Sequence, residues 1–126
     1  MKPESIDFQV LSRLGGERRE YRAGEIIFRA GESANEFFVV REGTVAVDVN
    51  GAIIERLGSS EIFGEMALVE AKPRSATVVA ETDCAVVPIS EKQFLAMVEY
   101  APSFSLAVIR TLAHRLRRAN AHRRAA

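Results

Sequence analysis

Between Arg18 and Ile89 glycine falls at positions 24, 31, 43, 51, 58 and 64, cutting this part of the chain into short apolar runs. Runs that short and that often interrupted suit strands joined by turns better than helices. Val45, Val47 and Val49 alternate with Ala46, Asp48 and Asn50, the period of two expected of a half-buried strand. Asn50-Gly51 follows at once, a dipeptide that accepts the positive φ angles of a tight hairpin turn, and residues 53–57 provide the returning strand. Residues 25–28, 37–41, 76–80 and 85–89 are further strand-like runs. Many short strands with glycine turns predict a sandwich or jelly roll rather than alternating βαβ units.

Helical patterns flank this region. Residues 5–14 read as a short helix, with Ser5 as cap, Ile6, Val10 and Leu14 at helical spacing, and Gly15-Gly16 as its end. Ser90 caps a second helix that places Phe94, Leu95 and Val98 on one face, and Pro102 closes the connection after it. A last helix starts near Ser103, and Ile109, Leu112, Leu116 and Ala119 form a narrow seam suited to pairing with another helix. The expected fold class is α+β, mainly β. A jelly-roll β-barrel over about 18–89 is flanked by an N-terminal helix and by two C-terminal helices over about 90–124, in one domain spanning 1–126.

Composition excludes several classes. Cys84 is the only cysteine, so neither an internal disulfide nor a thiolate zinc site can form, and no basic neighbour in sequence activates it. His114 and His122 lie eight residues apart, too far for a metal pair on adjacent helical turns, and no nucleophile sits beside an evident base. No enzymatic activity, metal or cofactor is therefore expected. The first fourteen residues are too polar for a signal peptide and no apolar run could span a bilayer, so a cytoplasmic location is expected. The net charge of zero hides an asymmetry: from Ser103 onward there are six arginines and no acid. The rest of the chain then holds eleven basic residues against all seventeen acidic ones. The arginine segment reads either as a contact for phosphates or an anionic surface, or as a solvated helix face turned towards its own acidic body.

One segment carries more chemistry than any other, Phe63-Gly64-Glu65-Met66-Ala67-Leu68 followed by Pro73-Arg74-Ser75-Ala76-Thr77-Val78. Gly64 allows backbone to approach a ligand closely. Residues 65–69 can form one helical turn whose first N–H groups have no partner within the helix and can donate to an anion. Pro73 positions Arg74, whose planar fork suits a phosphate, and Ser75 adds a hydroxyl. Glu65 would repel a phosphate placed against it, so it must address another part of the ligand, for which a sugar hydroxyl is the natural candidate. Taken singly, Glu65 is also what a helix start favours and Arg74 is an ordinary surface arginine. Only their conjunction points to a site.

That conjunction resembles the phosphate-binding cassette of the cyclic-nucleotide-binding domain family, found in catabolite activator proteins, regulatory subunits of cAMP-dependent kinase and cyclic-nucleotide-gated channels. Gly64, Glu65, Ala67, Leu68 and the run from Pro73 to Val78 match its pattern, as do Gly24-Glu25-Ile26-Ile27, Gly31-Glu32 and the segment from Phe37 to Gly43 outside it. The resemblance implies that Glu65 accepts the ribose 2′-hydroxyl and that Arg74 pairs with the cyclic phosphate. It further implies that Gly64, Met66, Ala67 and Ser75 supply amide or hydroxyl contacts, and that Val47 and Ile54 face the base, positions that serve equally as plain core. Serine at position 75 matches the bacterial activators and leans towards cAMP, with cGMP left open. Asn120 falls near the place where the last helix touches the base in dimeric relatives.

The implied function is a regulatory sensor that passes cyclic-nucleotide occupancy to its C-terminal helices. The sequence leaves open the sensing half of a catabolite-activator-type transcription regulator, an ion-channel regulatory domain, and a ligand-free interaction module, although intact Glu65 and Arg74 argue against the last. No helix-turn-helix follows the last helix, so direct DNA reading is not expected. A homodimer through the Ile109–Leu112–Leu116 seam is expected, with the effector domain or partner unknown.

Overall fold

The computed structural model describes residues 8–70 and 72–125, without the side chains of 69, 116 and 118–125. Helix α1 (Phe8–Leu14) leads into strands β1 (Arg19–Tyr21), β2 (Ile26–Phe28), β3 (Glu36–Glu42), β4 (Val45–Val49), β5 (Ala52–Leu57) and β6 (Ile62–Phe63). Helix α2 (Met66–Val69) follows, then β7 (Thr77–Ala80), β8 (Cys84–Ser90), α3 (Glu91–Tyr100) and α4 (Pro102–Ala125). The strands form two four-stranded sheets, ordered β1-β8-β3-β6 and β2-β7-β4-β5, every pair antiparallel. The fold is mainly β and jelly-roll-like, as expected, but its two sheets do not close into one barrel. The strand-like runs read from sequence fall within a residue or two of β2, β3, β7 and β8. Strands β1 and β6, at three and two residues, are too short to show a period and exist through their pairing with β8 and β3.

Strand β3 explains how one sheet serves two cores. Side chains alternate across a strand, so an uninterrupted apolar run can be buried on both faces. Phe37 and Val39 join Ile89, Met97, Phe104 and Val108 in a core shared with the helices. Phe38 and Val40 face the other way, into a core with Val45, Leu57, Phe63, Val78 and Val86 between the sheets. The β4–β5 hairpin turns at Asn50 (φ 53°) and Gly51 (φ 87°), the pair of positive φ angles that the Asn-Gly dipeptide was expected to supply.

The helix ends follow local chemistry. Gly15 N–H donates to the Leu11 carbonyl at 2.8 Å where α1 stops, while the proposed cap Ser5 lies outside the described residues. Ser90 caps α3 in a reciprocal box: its hydroxyl accepts from Gln93 N–H at 3.2 Å, and Gln93 Oε1 accepts from Ser90 N–H at 2.8 Å. Two details differ from expectation. Pro102 is the first residue of α4 rather than the end of a connection, a place where its missing N–H costs nothing. The inward face of α3 is Phe94 and Met97, whereas Leu95 and Val98 are 57% and 45% exposed, because the core lies on the side of Phe37 rather than of the wider apolar stripe.

Candidate functional site

The segment between β6 and β7 wraps a pocket lined by residues from both ends of the cassette and from the facing strands. Gly64, Glu65, Met66, Ala67, Arg74 and Ser75 all line it, together with Val47 of β4. Ile54 does not. It is 64% exposed on β5, because alternation along that strand gives the inward side to Glu55 and Leu57, with Glu55 directly across the sheet from Val47. Phe28, Phe63, Lys72 and Arg115 also reach the pocket, and the sequence reading assigned none of them a ligand contact.

Arg74 is the anchor. Its backbone is clamped to the β2–β3 loop, with Arg74 N–H donating to Glu32 and Gly31 N–H donating to Arg74, both at 2.8 Å. Its guanidinium lies 4.0 Å from the centre of the Phe28 ring and 5.7 Å from that of Phe38. Nη1 donates to the Gly64 carbonyl at 3.1 Å and Nη2 to the Glu36 carbonyl at 2.8 Å. Those two bonds use two of the five guanidinium donors, and the buried Nε–H has no partner among the described residues. Burial depresses the Arg74 pKa from its ordinary value, while Glu36, Glu32 and Glu65 act in the opposite direction. A desolvated cation with an unpaired donor is suited to an anion carrying several acceptor oxygens.

Gly64 has φ +75°, and a Cβ built there would lie 2.8 Å from Arg74 Nη1. The glycine is thus required both for backbone conformation and for the close approach of the arginine. Glu65 stands at the N-terminal cap of α2. Not every N–H of this turn is free as the sequence suggested, since Ala67 N–H is directed at the Gly64 carbonyl at 3.2 Å and Leu68 N–H at that of Glu65 at 3.0 Å. Ser75 is exposed at the pocket wall, and Met66 is half-exposed beside it.

The carboxylate of Glu65 is held from a distant part of the chain. Arg115 Nη1 lies 2.7 Å from Glu65 Oε1 and also donates to the Ile62 carbonyl, and Arg115 Nη2 lies 2.6 Å from Glu55 Oε1. Arg115 continues the inward stripe of α4, at 3–4 residue spacing from the buried Phe104, Val108 and Thr111. A second stripe at the same spacing, the seam through Ile109 and Leu112, obscured it in the sequence. These two seam residues divide: Ile109 is 53% exposed, and Leu112 packs against the helix-side core. Leu116, Ala119, Asn120 and His122 have side chains outside the described set. Among the described residues no three His, Cys, Asp or Glu side chains cluster as a metal site requires, and no helix is long and apolar enough to cross a membrane.

The model of the cyclic nucleotide-binding domain matches residues 18–101, which take in both sheets, the cassette and α3. The chain belongs to the cyclic nucleotide-binding domain family. It is 34% identical over 106 residues to the Pycsar effector protein XpPycTIR of Xanthomonas perforans, covering 83% of this chain and 35% of the relative. Over 77 residues it is 36% identical to the cAMP-dependent protein kinase regulatory subunit of Debaryomyces hansenii, covering 61% of this chain and 17% of that protein. The crystal structure of the Thermus thermophilus catabolite activator protein superposes with a TM-score of 0.79 at 27% identity, over 96% of this chain and 61% of that one. The chain therefore spans about a third or less of the length of those two curated relatives. Domains of this family are regulatory binding modules.

Proposed function

We propose that this domain binds a 3′,5′-cyclic nucleotide, cAMP in preference to cGMP, and reports its occupancy through α3 and α4. The observation that carries the proposal is the presence in one pocket of a buried Arg74, whose Nε–H has no partner among the described residues, and a Glu65 carboxylate held by Arg115. Arg74, aided by Ser75 and the backbone of Gly64, Met66 and Ala67, answers the cyclic phosphate, and Glu65 accepts the ribose 2′-hydroxyl. Val47 provides an apolar wall towards the base. The name of the kinase relative and Ser75 both favour cAMP. The ligand is the only small molecule the reading requires, with no cofactor and no catalytic step, and the domain acts in the cytoplasm.

Calorimetric titration with cAMP, cGMP and 2′-deoxy-cAMP tests this. The expected result is tighter binding of cAMP than of cGMP, a weaker 2′-deoxy analogue, and at least a tenfold loss in Arg74→Ala and Glu65→Ala. Variants that bind like the wild type would overturn the site. For the downstream role, the exposure of Leu106 and Ile109 on α4, at 45% and 53%, supports pairing of two copies along that helix. Light scattering should then show a dimer that Ile109→Glu converts to monomer.

A further inference from the structure

A pocket for an anion that also contains a carboxylate has an electrostatic conflict to resolve. Glu65 is mostly buried, with 13% of its side chain exposed, and shares the pocket with Arg74, which the proposed function assigns to a phosphate. A bare carboxylate there would repel the ligand that Arg74 attracts. Arg115 of α4 supplies the missing positive charge, and its own side chain is only 21% exposed. A guanidinium that must reach from α4 to Glu65 at the start of α2 needs a second fixed point. Glu55 on β5 provides it, receiving Nη2 at 2.6 Å, while the Ile62 carbonyl of β6 shares Nη1 with Glu65.

We propose that Glu55 is a positioning residue: it holds Arg115 of α4 against Glu65, so that a carboxylate on β5 sets the orientation of the sugar-recognising carboxylate and ties sugar recognition to the seating of α4. Glu55 is itself absent from the pocket lining, so it acts through Arg115 rather than on the ligand. A competing arrangement, in which the sugar displaces Arg115, is disfavoured by strength. The guanidinium brings a full opposite charge and is held by Glu55 as well as Glu65, whereas a hydroxyl is neutral, so the hydroxyl does not dislodge it. It has no need to. A carboxylate has about four lone-pair sites, and Arg115 is placed on Oε1, which leaves Oε2 for the ligand. Ligand and seated α4 thus favour the same Glu65 conformation, and binding of either assists the other.

This inference rests on the proposed function, and the experiment separates the two. The ratio of cAMP to 2′-deoxy-cAMP affinity is measured by calorimetry for the wild type, Glu55→Gln, Arg115→Met and Arg74→Ala, alongside urea midpoints and amide hydrogen exchange along α4. The isosteric Glu55→Gln should keep the fold, weaken cAMP by about threefold, lower the ratio by the same factor and speed exchange in α4. Arg115→Met, which keeps an apolar stem, should weaken cAMP by about tenfold and bring the ratio close to one. Arg74→Ala should weaken both nucleotides alike and leave the ratio unchanged, because the two share a phosphate. Unchanged ratios in both Glu55→Gln and Arg115→Met, with cAMP still bound by the wild type, overturn this inference alone. Tighter cAMP binding in either variant does the same, since it would make Arg115 a competitor. A wild type that binds neither cAMP nor cGMP overturns the proposed function and the inference with it.

Discussion

Gly64→Ala is the substitution whose outcome the structure determines most fully. Gly64 has φ +75°, in the left-handed region that costs a non-glycine residue ~1–2 kcal/mol. Its new Cβ would also lie 2.8 Å from Arg74 Nη1 and 3.4 Å from Phe28 Cε2, so the guanidinium must shift and lose its 3.1 Å bond to the Gly64 carbonyl. That bond adds roughly 1 kcal/mol, for a total of ~2–3 kcal/mol. Gly51→Ala isolates the first contribution, since Gly51 has φ +87° but a Cβ there meets nothing within 4 Å. With a urea m-value of ~1.5 kcal/mol/M, Gly51→Ala should lower the unfolding midpoint by about 1 M and Gly64→Ala by ~1.5–2 M. Calorimetry should separate them further. Displacing the Arg74 fork should cost Gly64→Ala at least ~1.4 kcal/mol of cAMP binding, a tenfold loss, whereas Gly51→Ala should bind as the wild type does. Equal midpoints for the two variants, or undiminished cAMP affinity in Gly64→Ala, would refute the claim that this glycine exists to admit the arginine.

Other consequences follow from the fold. Ser90→Ala removes the hydroxyl that accepts from Gln93 N–H, so urea denaturation should show a loss of ~1 kcal/mol with cAMP affinity unchanged. Burial raises the Cys84 thiol pKa, with Asp83 and Glu25 adding to the effect. The native protein should therefore resist iodoacetamide at neutral pH and react once unfolded, and fast native labelling would contradict the buried placement. Because the folded state holds this proton more tightly than the unfolded chain, the associated stability is full below the ordinary thiol range and declines as pH rises through it. In Cys84→Ala that decline should be shallower.

The sequence by itself determined the parts of this protein that depend on neighbours along the chain. Asn50-Gly51 specified a turn because both residues tolerate positive φ, and Ser90 specified a helix start because its hydroxyl reaches an N–H only three residues on. The alternation in β4 and the cassette motif from Gly64 to Val78 are likewise local, and most of the candidate site was legible in them. Tertiary structure decided what depends on which face is inward. Ile54 and Glu55 are adjacent, and a strand sends adjacent residues to opposite sides, so only the placement of β5 against β4 gives Glu55 the inward position and leaves Ile54 in solvent. In α4 two stripes share one helical spacing, and only packing against β3, β8 and α3 selects the one that ends in Arg115. An arginine fifty residues from Glu65 has no local signature of its partner, because the attraction that joins them acts between α4 and the start of α2 and appears only once both cores have formed.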